Sequence, residues 1–333
     1  MRIAVLGVGV IGSIYAAKLA AAGHNVTLVA RGPRRRQLES SGLQLEDALS
    51  GATLCLQLPV SDQLPRDAEL VVVAIRNAQV DAALPQLRQS PSATPILLML
   101  NGPLQVGRLG EALGPERVFF GFAGAGGVHD GLSVRYTAVR AQPTTFGPVR
   151  GQPETKPRAF AALFADAGLA TSVVADMEAW LLTHAVLITA LCGALYRNGG
   201  VSKALAADKS GLNDLIAGLR EGLRVVTSLG FTVSPLKLRL LPRLPAPLVR
   251  LALSRQLASD FAAFAIDGHA NAAPEDMQDL ARDCRTMIAR SGQAAPVLLR
   301  LCDEVEAFRR ADQRAYSARV ANSPGQRSRA SWR

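Results

Sequence analysis

Unbroken apolar segments alternate with helical patterns in the first half of the chain. The apolar segments predict short buried strands at 2–6, 25–30, 53–58, 69–75, 95–100, 117–123 and 171–174. Apolar residues at helical spacing predict helices at about 11–22, 79–89 and 157–167. Strands without polar alternation, separated by helices, are typical of a parallel sheet that is covered on both faces. The pattern therefore predicts an α/β domain with a doubly wound parallel sheet, with shorter, more polar edge strands between 132 and 149.

The pattern changes after residue 176, where apolar residues recur only at helical spacing. This spacing predicts helices at 180–196, 212–229, 247–264, 275–290 and 296–309. We therefore predict two domains, an α/β domain over 1–175 and an all-α domain over 176–310. The segment 311–333 is rich in Arg, Ser, Ala and Gly without periodicity, and we expect a basic disordered tail there.

Composition and charge exclude several classes of protein. With 333 residues, 49% apolar and 19% charged, the chain is long and apolar enough to bury a sizeable core. The net charge is +10, but the segment from Phe308 onward holds seven arginines and one aspartate, which leaves +4 for the other residues. Because no basic stripe alternates with aromatic residues, we expect no nucleic acid as a partner.

Cysteines and histidines, four of each, are scattered without metal-ligand or C-x-x-C spacing. This distribution predicts neither a metal site nor a disulfide framework, and it fits a cytoplasmic protein. The longest apolar run, 180–196, has 17 residues and contains His184, so we interpret it as a buried core helix and expect no membrane.

The first predicted strand leads directly into Gly7-Val8-Gly9-Val10-Ile11-Gly12, a G-x-G-x-x-G sequence that opens a helix. In a Rossmann-type domain the first glycine permits the tight turn, the second lets a pyrophosphate approach the backbone, and the third allows close helix packing. The N–H groups of the helix start, at Val10, Ile11 and Gly12, attract phosphate. We therefore predict that these residues bind a dinucleotide.

The residue after the second strand indicates which dinucleotide is bound. An NAD site usually has an acidic residue about 20 positions beyond the glycines, whereas this chain has Arg31, 19 residues after Gly12. A guanidinium suits the 2′-phosphate of NADP. We therefore predict NADP (NADPH) as the cofactor, held by Arg31. For the following run, 34–36, we interpret at least one arginine as part of a solvated face.

Four features together resemble the ketopantoate reductase (2-dehydropantoate 2-reductase) family. They are the glycine motif, Arg31, the segment Val71-Val72-Val73-Ala74-Ile75-Arg76-Asn77-Ala78-Gln79, and Leu100-Asn101-Gly102. The resemblance covers most of residues 1–310 and implies a Rossmann domain followed by a helical domain. It also implies that Arg76 and Asn101 line the cofactor and substrate site. Both follow predicted parallel strands, where open α/β sheets bind ligands. Each also has a simpler interpretation, Asn101-Gly102 as a turn and Arg76 as a solvated charge.

The resemblance breaks at the start of the helical domain. It implies a Trp, a Lys two residues later as general acid, and Asn four and eight residues after that Lys. Aligned on Trp180, these positions hold Leu182, Val186 and Ala190, none of which can donate a proton. His184 is then the nearest candidate catalytic donor, although it points elsewhere on the helix. The segment 180–185 is similar to the W-L-x-x-H-A of a divergent branch of the family.

The family also carries a Glu about 20 residues before a Pro, which binds the substrate hydroxyl. Glu275 lies 21 residues before Pro296 and Asp276 lies 20 before it, so the resemblance implies this role for Glu275 or its neighbour. The alternative is a helix start, because Pro274 and acidic residues favour the first turn of a helix. His269 is a further candidate for the same site.

The resemblance thus implies an NADPH-dependent oxidoreductase that transfers hydride to the carbonyl of a 2-keto acid or similar small molecule, in pantothenate biosynthesis. Its catalytic residues would be His184, Asn101 and Glu275. Two alternatives stay open. The chain could be an NADP-binding protein that has lost its chemistry and acts as a sensor or scaffold. It could instead reduce an imine or an apolar ketone. A homodimer is compatible with all three.

Overall fold

The computed structural model describes residues 1–138 and 142–308. The chain divides into two compact units, Met1–Leu181 and Leu182–Arg333. The predicted tail, 311–333, lies outside the described residues.

The strands all lie in the first unit of the described chain. They are β1 Arg2–Leu6, β2 Asn25–Val29, β3 Leu43–Asp47, β4 Thr53–Leu56, β5 Val60–Ser61, β6 Leu70–Val73, β7 Ile96–Leu98, β8 Val118–Phe122, β9 Ala125–Asp130, β10 Ser133–Ala138, β11 Thr144–Gly147 and β12 Thr171–Val173. Eight of them form one sheet in the order β12-β11-β8-β7-β6-β1-β2-β5, and its pairs are parallel except for β8 with β11. The predicted α/β fold with a parallel sheet and a helical C-terminal part is confirmed.

The direction of the chain reverses across the sheet between β1 and β6. From β1 the chain moves to β2 on one side, and it later returns to place β6 on the other side of β1. Such a switch point leaves a crevice at the carboxyl ends of the two strands, which is where open α/β sheets bind ligands.

Five helices belong entirely to the first unit: α1 Val10–Ala21, α2 Gly32–Ser41, α3 Val80–Arg88, α4 Gln105–Leu113 and α5 Thr155–Asp166. Side chains of β1 alternate between two cores on opposite faces of the sheet. Ile3 and Val5 join the core that contains the buried face of α1, while Ala4 and Leu6 join the core formed with α3 and α4. Because both faces are buried, the strand shows an apolar run rather than alternation.

A second sheet of four strands, in the order β4-β3-β10-β9, accounts for the polar segments of the first unit. The predicted strand at 53–58 belongs to this sheet, where β4 pairs antiparallel with β3. The edge strands expected between 132 and 149 divide between the sheets, with β10 in the small sheet and β11 in the large one. Two helices, α2 and α4, were not predicted; α2 buries only Leu38, so its apolar pattern is weak.

The second unit, where described, consists of helices. They are α6 Met177–Arg197, which contains the boundary between the units, α7 Ser202–Ala207, α8 Lys209–Ser228, α9 Leu236–Leu240, α10 Ala246–Leu257, α11 Asp260–Ala262, α12 Gly268–Ala272, α13 Pro274–Ser291 and α14 Pro296–Ala307, with a π-helical turn at Ala263–Asp267. The helix predicted at 247–264 is therefore split after Leu257. By length and composition α6 could cross a membrane, but 72% of its apolar window is buried within the protein.

Glycines of α8 allow three helices of this unit to approach closely. A Cβ atom on Gly222 would lie 2.2 Å from Cγ1 of Val186 in α6, and one on Gly218 would lie 2.6 Å from Cδ1 of Leu301 in α14. Both distances are shorter than any van der Waals contact, so a side chain at either position would force Val186 or Leu301 to move.

We expect Gly222→Ala to lower the free energy of unfolding by about 1–3 kcal/mol, because the added methyl group overpacks the contact with Val186. Urea denaturation followed by circular dichroism measures the loss. Gly268→Ala is the matched control, since a Cβ atom there meets nothing within 4 Å. The second substitution Val186→Ala should restore part of the loss, and equal stabilities of the two glycine variants would contradict the packing.

Candidate functional site

The turn between β1 and α1 is held by contacts that exclude side chains at two of its glycines. Gly7 has φ +92°, and a Cβ atom there would lie 2.4 Å from Cγ2 of Ile75 and 2.6 Å from the carbonyl oxygen of Ala74. A Cβ atom on Gly12 would lie 1.9 Å from the carbonyl oxygen of Gly7. Gly7 and Gly12 are therefore required by the packing of β1, α1 and β6, whatever the turn binds.

Gly9, the N-cap residue of α1, faces outward. A Cβ atom on Gly9 would meet nothing within 4 Å. No side chain caps this helix, and its first turn contains no acidic residue. The N–H groups of Val10, Ile11 and Gly12 precede the first bonds of the helix, the earliest of which joins the Ser13 N–H to the Gly9 carbonyl oxygen at 3.0 Å. This open, positively polarised helix end can accept a pyrophosphate against the backbone.

The guanidinium that contacts the glycine turn belongs to Arg34, in the first turn of α2. Its Nε donates to the carbonyl oxygen of Val8 at 2.9 Å, and its Nη2 donates to Oγ of Ser13 at 3.0 Å. Partial burial lowers the pKa of the Arg34 guanidinium. The pKa of His129, on β9, is also lowered, first by burial and then by the charge of Arg34. Arg34 therefore places a cation beside the start of α1.

The Arg31 side chain takes a different direction in the structure. Its backbone follows β2, as predicted, and caps α2, but its Nη2 donates to Oε1 of Gln86 at 2.9 Å. Gln86 is buried in α3 and donates in turn to the carbonyl oxygen of Asp62 at 3.1 Å. Along the sequence, Arg34 does not stand out from the charged run 34–36. Pro33, at the second position of α2, is the sequence signal of a helix start. The first turn of this helix directs the Arg34 side chain back towards the glycine turn.

Two asparagines meet at the carboxyl ends of β6 and β7. A Cβ atom on Gly102 would lie 2.7 Å from Nδ2 of Asn77, so the Asn77 side chain lies directly over the Asn101–Gly102 turn. The Oδ1 atoms of Asn77 and Asn101 are buried and accept no hydrogen bond within the described part of the chain. Two buried amide oxygens of this kind can accept hydrogen bonds from a carboxamide or a hydroxyl group. Asn77 was missed as a site residue, because in the sequence it is only one member of the segment that follows β6.

Arg76 lies one residue before Asn77, at the same edge of the sheet as the glycine turn. It is exposed, and its backbone N–H donates to Oε1 of Gln79 at 3.1 Å, at the start of a short 3₁₀ turn before α3. The structure thus brings together the glycine turn, Arg34, Arg76, Asn77 and Asn101 at the carboxyl ends of β1, β6 and β7.

The remaining predicted residues lie in the second unit. His184 is half-buried in α6, and Glu275 is half-buried in the first turn of α13, directly after Pro274 at the first helical position. The sequence Pro274-Glu275-Asp276 therefore begins a helix, which is the simpler of its two interpretations. The side chain of His269 lies outside the described part of the structure.

The three apolar positions of α6 are part of the protein core. Leu182, Val186 and Ala190 are 3%, 1% and 0% exposed. Val186 lies against Gly222 of α8, at the close contact of these two helices. A lysine or asparagine at these positions would bury a polar group, and it would displace the packing of α6 on α8 at Val186.

Other reactive groups in the described chain are few. No group of three or more His, Cys, Asp or Glu residues could hold a metal ion within residues 1–138 and 142–308. Cys192, Cys284 and Cys302 are buried, and burial raises the pKa of the Cys192 thiol to about 12, so this thiol stays protonated.

Comparison with known proteins finds similarity to one family over the first unit. Residues 3–151 match the family model described as Ketopantoate reductase PanE/ApbA. A 2-dehydropantoate 2-reductase of Listeria monocytogenes is 26% identical over 104 residues, which are 31% of this chain and 35% of the relative, so this match spans about a third of that protein.

Solved structures share the fold over almost the whole length. A 2-dehydropantoate 2-reductase from Geobacter metallireducens has a TM-score of 0.74 at 18% identity, covering 92% of this chain and 99% of that one. A PanE/ApbA family ketopantoate reductase from Ralstonia eutropha gives 0.71 at 20%, covering 95% and 99%. D-mandelate dehydrogenase, solved with NADH and anilino(oxo)acetate, gives 0.73 at 14%, also covering 95% and 99%.

The family match begins at the first residues of β1 and extends beyond β11. It includes every first-unit residue of the site, from the glycine turn and Arg34 to Asn77 and Asn101. Over residues 3–151 the chain is therefore similar to the ketopantoate reductase PanE/ApbA family.

Proposed function

We propose that this protein is an NADPH-dependent reductase that transfers hydride to the carbonyl of a 2-keto acid or a similar small molecule, as 2-dehydropantoate 2-reductases do. The observation that carries the proposal is the outward-facing Gly9 at an uncapped helix start, with the Arg34 guanidinium beside it. The family domain supports it, as does the shared fold of D-mandelate dehydrogenase, which was solved with NADH. A cytoplasmic location and a place in pantothenate biosynthesis belong to the same proposal.

The cofactor is held by backbone and by arginine. The N–H groups that follow Gly9 would hold the pyrophosphate, because a side chain at Gly9 would block its approach. Arg34 is the nearest cation for the 2′-phosphate, because its guanidinium already lies beside Val8 and Ser13. If the Arg31 guanidinium leaves Gln86, it can join Arg34 as a second cation for the phosphate. Arg76 adds positive charge at the same edge of the sheet. Each charge favours the phosphorylated dinucleotide over NADH.

The buried asparagine oxygens orient the reacting groups. When bound, the nicotinamide supplies the hydride for the carbonyl carbon of the substrate. Asn77 and Asn101 each offer an unpaired Oδ1, which accepts a hydrogen bond from a carboxamide N–H or a substrate hydroxyl. Holding both partners in one geometry reduces the entropic part of the barrier.

A proton must reach the carbonyl oxygen as the hydride arrives. His184, or a bound water, donates this proton, since imidazole exchanges protons near neutral pH. Glu275 holds a substrate hydroxyl. The proposal does not need a polar group at Leu182, Val186 or Ala190, whose side chains belong to the core.

The burial of Leu182, Val186 and Ala190 on α6 favours a second candidate function. If Leu182, Val186 and Ala190 occupy the positions where the family resemblance implies a lysine and two asparagines, the chain binds NADPH without reducing anything and acts as a sensor or scaffold. A reductase for an imine or an apolar ketone is a weaker variant, which an apolar site wall would suit.

Gly9→Ala should weaken NADPH binding at least tenfold without changing thermal stability, because the added methyl group points into the space that the pyrophosphate needs. Fluorescence titration with NADPH and a thermal melt measure the two effects. Gly12→Ala is the matched variant, and it should lose stability as well, since its methyl group collides with the Gly7 carbonyl. Unchanged NADPH affinity in Gly9→Ala would show that the dinucleotide does not bind at this turn.

Arg34→Gln should reduce NADPH affinity by about 10- to 100-fold, the usual worth of a charge-assisted hydrogen bond to phosphate, and should change NADH affinity less than threefold. The ratio of the two dissociation constants is the measurement. Arg36→Gln, at an exposed position of the same helix, is the control. An equal loss of NADPH and NADH affinity would mean that Arg34 only supports the turn.

His129 reports on the same phosphate. In the free protein its pKa is lowered, first by burial and then by the charge of Arg34. A 2′-phosphate beside Arg34 offsets this charge in addition to the pyrophosphate that both cofactors carry, so the pKa of His129 should be higher with NADPH bound than with NADH bound. A pH titration of the His129 ring signal by NMR measures the shift, and identical titration curves with both cofactors would place the phosphate away from Arg34.

The reaction itself is tested by NADPH oxidation with ketopantoate and a panel of other 2-keto acids, imines and apolar ketones. We expect turnover of at least one carbonyl substrate, and a 10²- to 10⁴-fold lower kcat in His184→Ala at unchanged NADPH affinity. NADPH binding without turnover of any compound would favour the sensor or scaffold. Turnover that His184→Ala does not change would assign the proton to water.

A further inference from the structure

A cleft in the second unit lies along one face of α8, apart from His184 and Glu275. Positions 213, 217, 220 and 224 of α8 are spaced by four, three and four residues, so they form one stripe along the helix. With α10 they enclose a cleft of about 500 Å³, a volume typical of small-molecule sites. Its lining includes Asn213, Ile216, Arg220, Arg224, Pro247 and Arg250.

The cleft holds more positive than negative charge. Within the described chain, Arg220, Arg224 and Arg250 form no ion pair, whereas Arg197 and Arg285 of the same unit each pair with aspartate. An excess of guanidinium groups in one cleft favours the binding of an anion there.

Glu221 also lines this cleft, and its carboxylate has a structural partner. Its Oε2 accepts the backbone N–H of Leu298 at 2.8 Å, in the first turn of α14. The carboxylate is buried and stabilises the positive end of that helix. The three arginines and this one carboxylate give the cleft a formal net charge of about +2.

Arg220 has a donor that lacks an acceptor. Its Nη2 donates to the carbonyl oxygen of Leu244, but its Nε is buried and has no hydrogen-bond partner in the described part of the chain. A buried donor without a partner is unfavourable, so a ligand oxygen that reached this Nε–H would be bound favourably. Arg250 is oriented by a hydrogen bond from its Nη1 to Oδ1 of Asn213 at 3.1 Å.

Arg224 completes the polar side of the cleft from its outer edge. It is exposed and makes no hydrogen bond within the described residues. Ala217 and Pro247, which are not buried, supply apolar surface on the remaining walls. The cleft thus combines a donor-rich end with an apolar wall, which is the arrangement of a site for a charged group on a short apolar body.

We propose that this cleft binds a small organic anion, a phosphate monoester or carboxylate, whose oxygens accept hydrogen bonds from Arg220, Arg224 and Arg250. The apolar part of the ligand packs on Ala217 and Pro247. The site is a second ligand site of the protein, and it exists whether or not the first unit binds NADPH.

Calorimetric titration of the full-length protein with n-butyl phosphate and with butyrate, at constant ionic strength in chloride, tests the proposal. We expect saturable binding with one ligand per chain. Arg224→Gln should weaken it at least tenfold, and so should Arg250→Gln. Arg290→Gln, at an exposed position near the end of α13, should leave it within twofold. Thermal melts check that each variant is folded, and Arg224 is suited to this test because it is exposed and makes no hydrogen bond or ion pair within the described residues.

The Nε–H signal of Arg220 gives a second readout in NMR spectra selective for arginine side chains. It should shift on addition of n-butyl phosphate and follow the calorimetric saturation curve. Non-saturable binding would overturn the proposal. Binding of equal strength in wild type, Arg224→Gln and Arg250→Gln would also overturn it, because the anion would then lie elsewhere, at the glycine turn or on the basic C-terminal segment.

Discussion

The first unit depends on the close approach of the Gly12 backbone to the carbonyl oxygen of Gly7. A side chain on Gly12 would lie 1.9 Å from that oxygen, so α1 can begin directly above β1 only with glycine there. Gly7 is held at the same time by Ala74 and Ile75 at the end of β6. These contacts join β1, α1 and β6 at the point where the sheet reverses direction, and they leave Gly9 as the outward-facing member of the motif.

The position of the site's cation follows from the same turn. Because α2 begins immediately after β2, its first turn carries Arg34 back to the Val8 carbonyl and to Ser13. These hydrogen bonds offset part of the cost of removing the guanidinium from water, which the lowered pKa of Arg34 reflects. The small sheet contributes His129 to the same neighbourhood, where burial and the charge of Arg34 lower its pKa.

In the second unit, one face of α6 packs against other helices at the positions where the family resemblance implies polar catalytic residues. Val186 occupies the space above Gly222, and Leu182 and Ala190 are buried along the same stripe of α6. A polar side chain on this packed face of α6 would be buried without a hydrogen-bond partner, which is energetically costly. These three positions of α6 therefore provide no proton donor.

The sequence by itself determined the parallel sheet, the helical second part and the glycine turn. Strands buried on both faces appear as apolar runs, and Gly7, Gly9 and Gly12 have the spacing that a tight strand-to-helix turn requires. It did not determine α2, because a helix that buries only Leu38 has almost no apolar pattern. Only the tertiary structure decided that Arg34 contacts the turn while Arg31 contacts Gln86, and that Asn77 lies over Gly102. Those contacts join residues from separate elements, and the direction of a long side chain is set by neighbours that are distant along the chain.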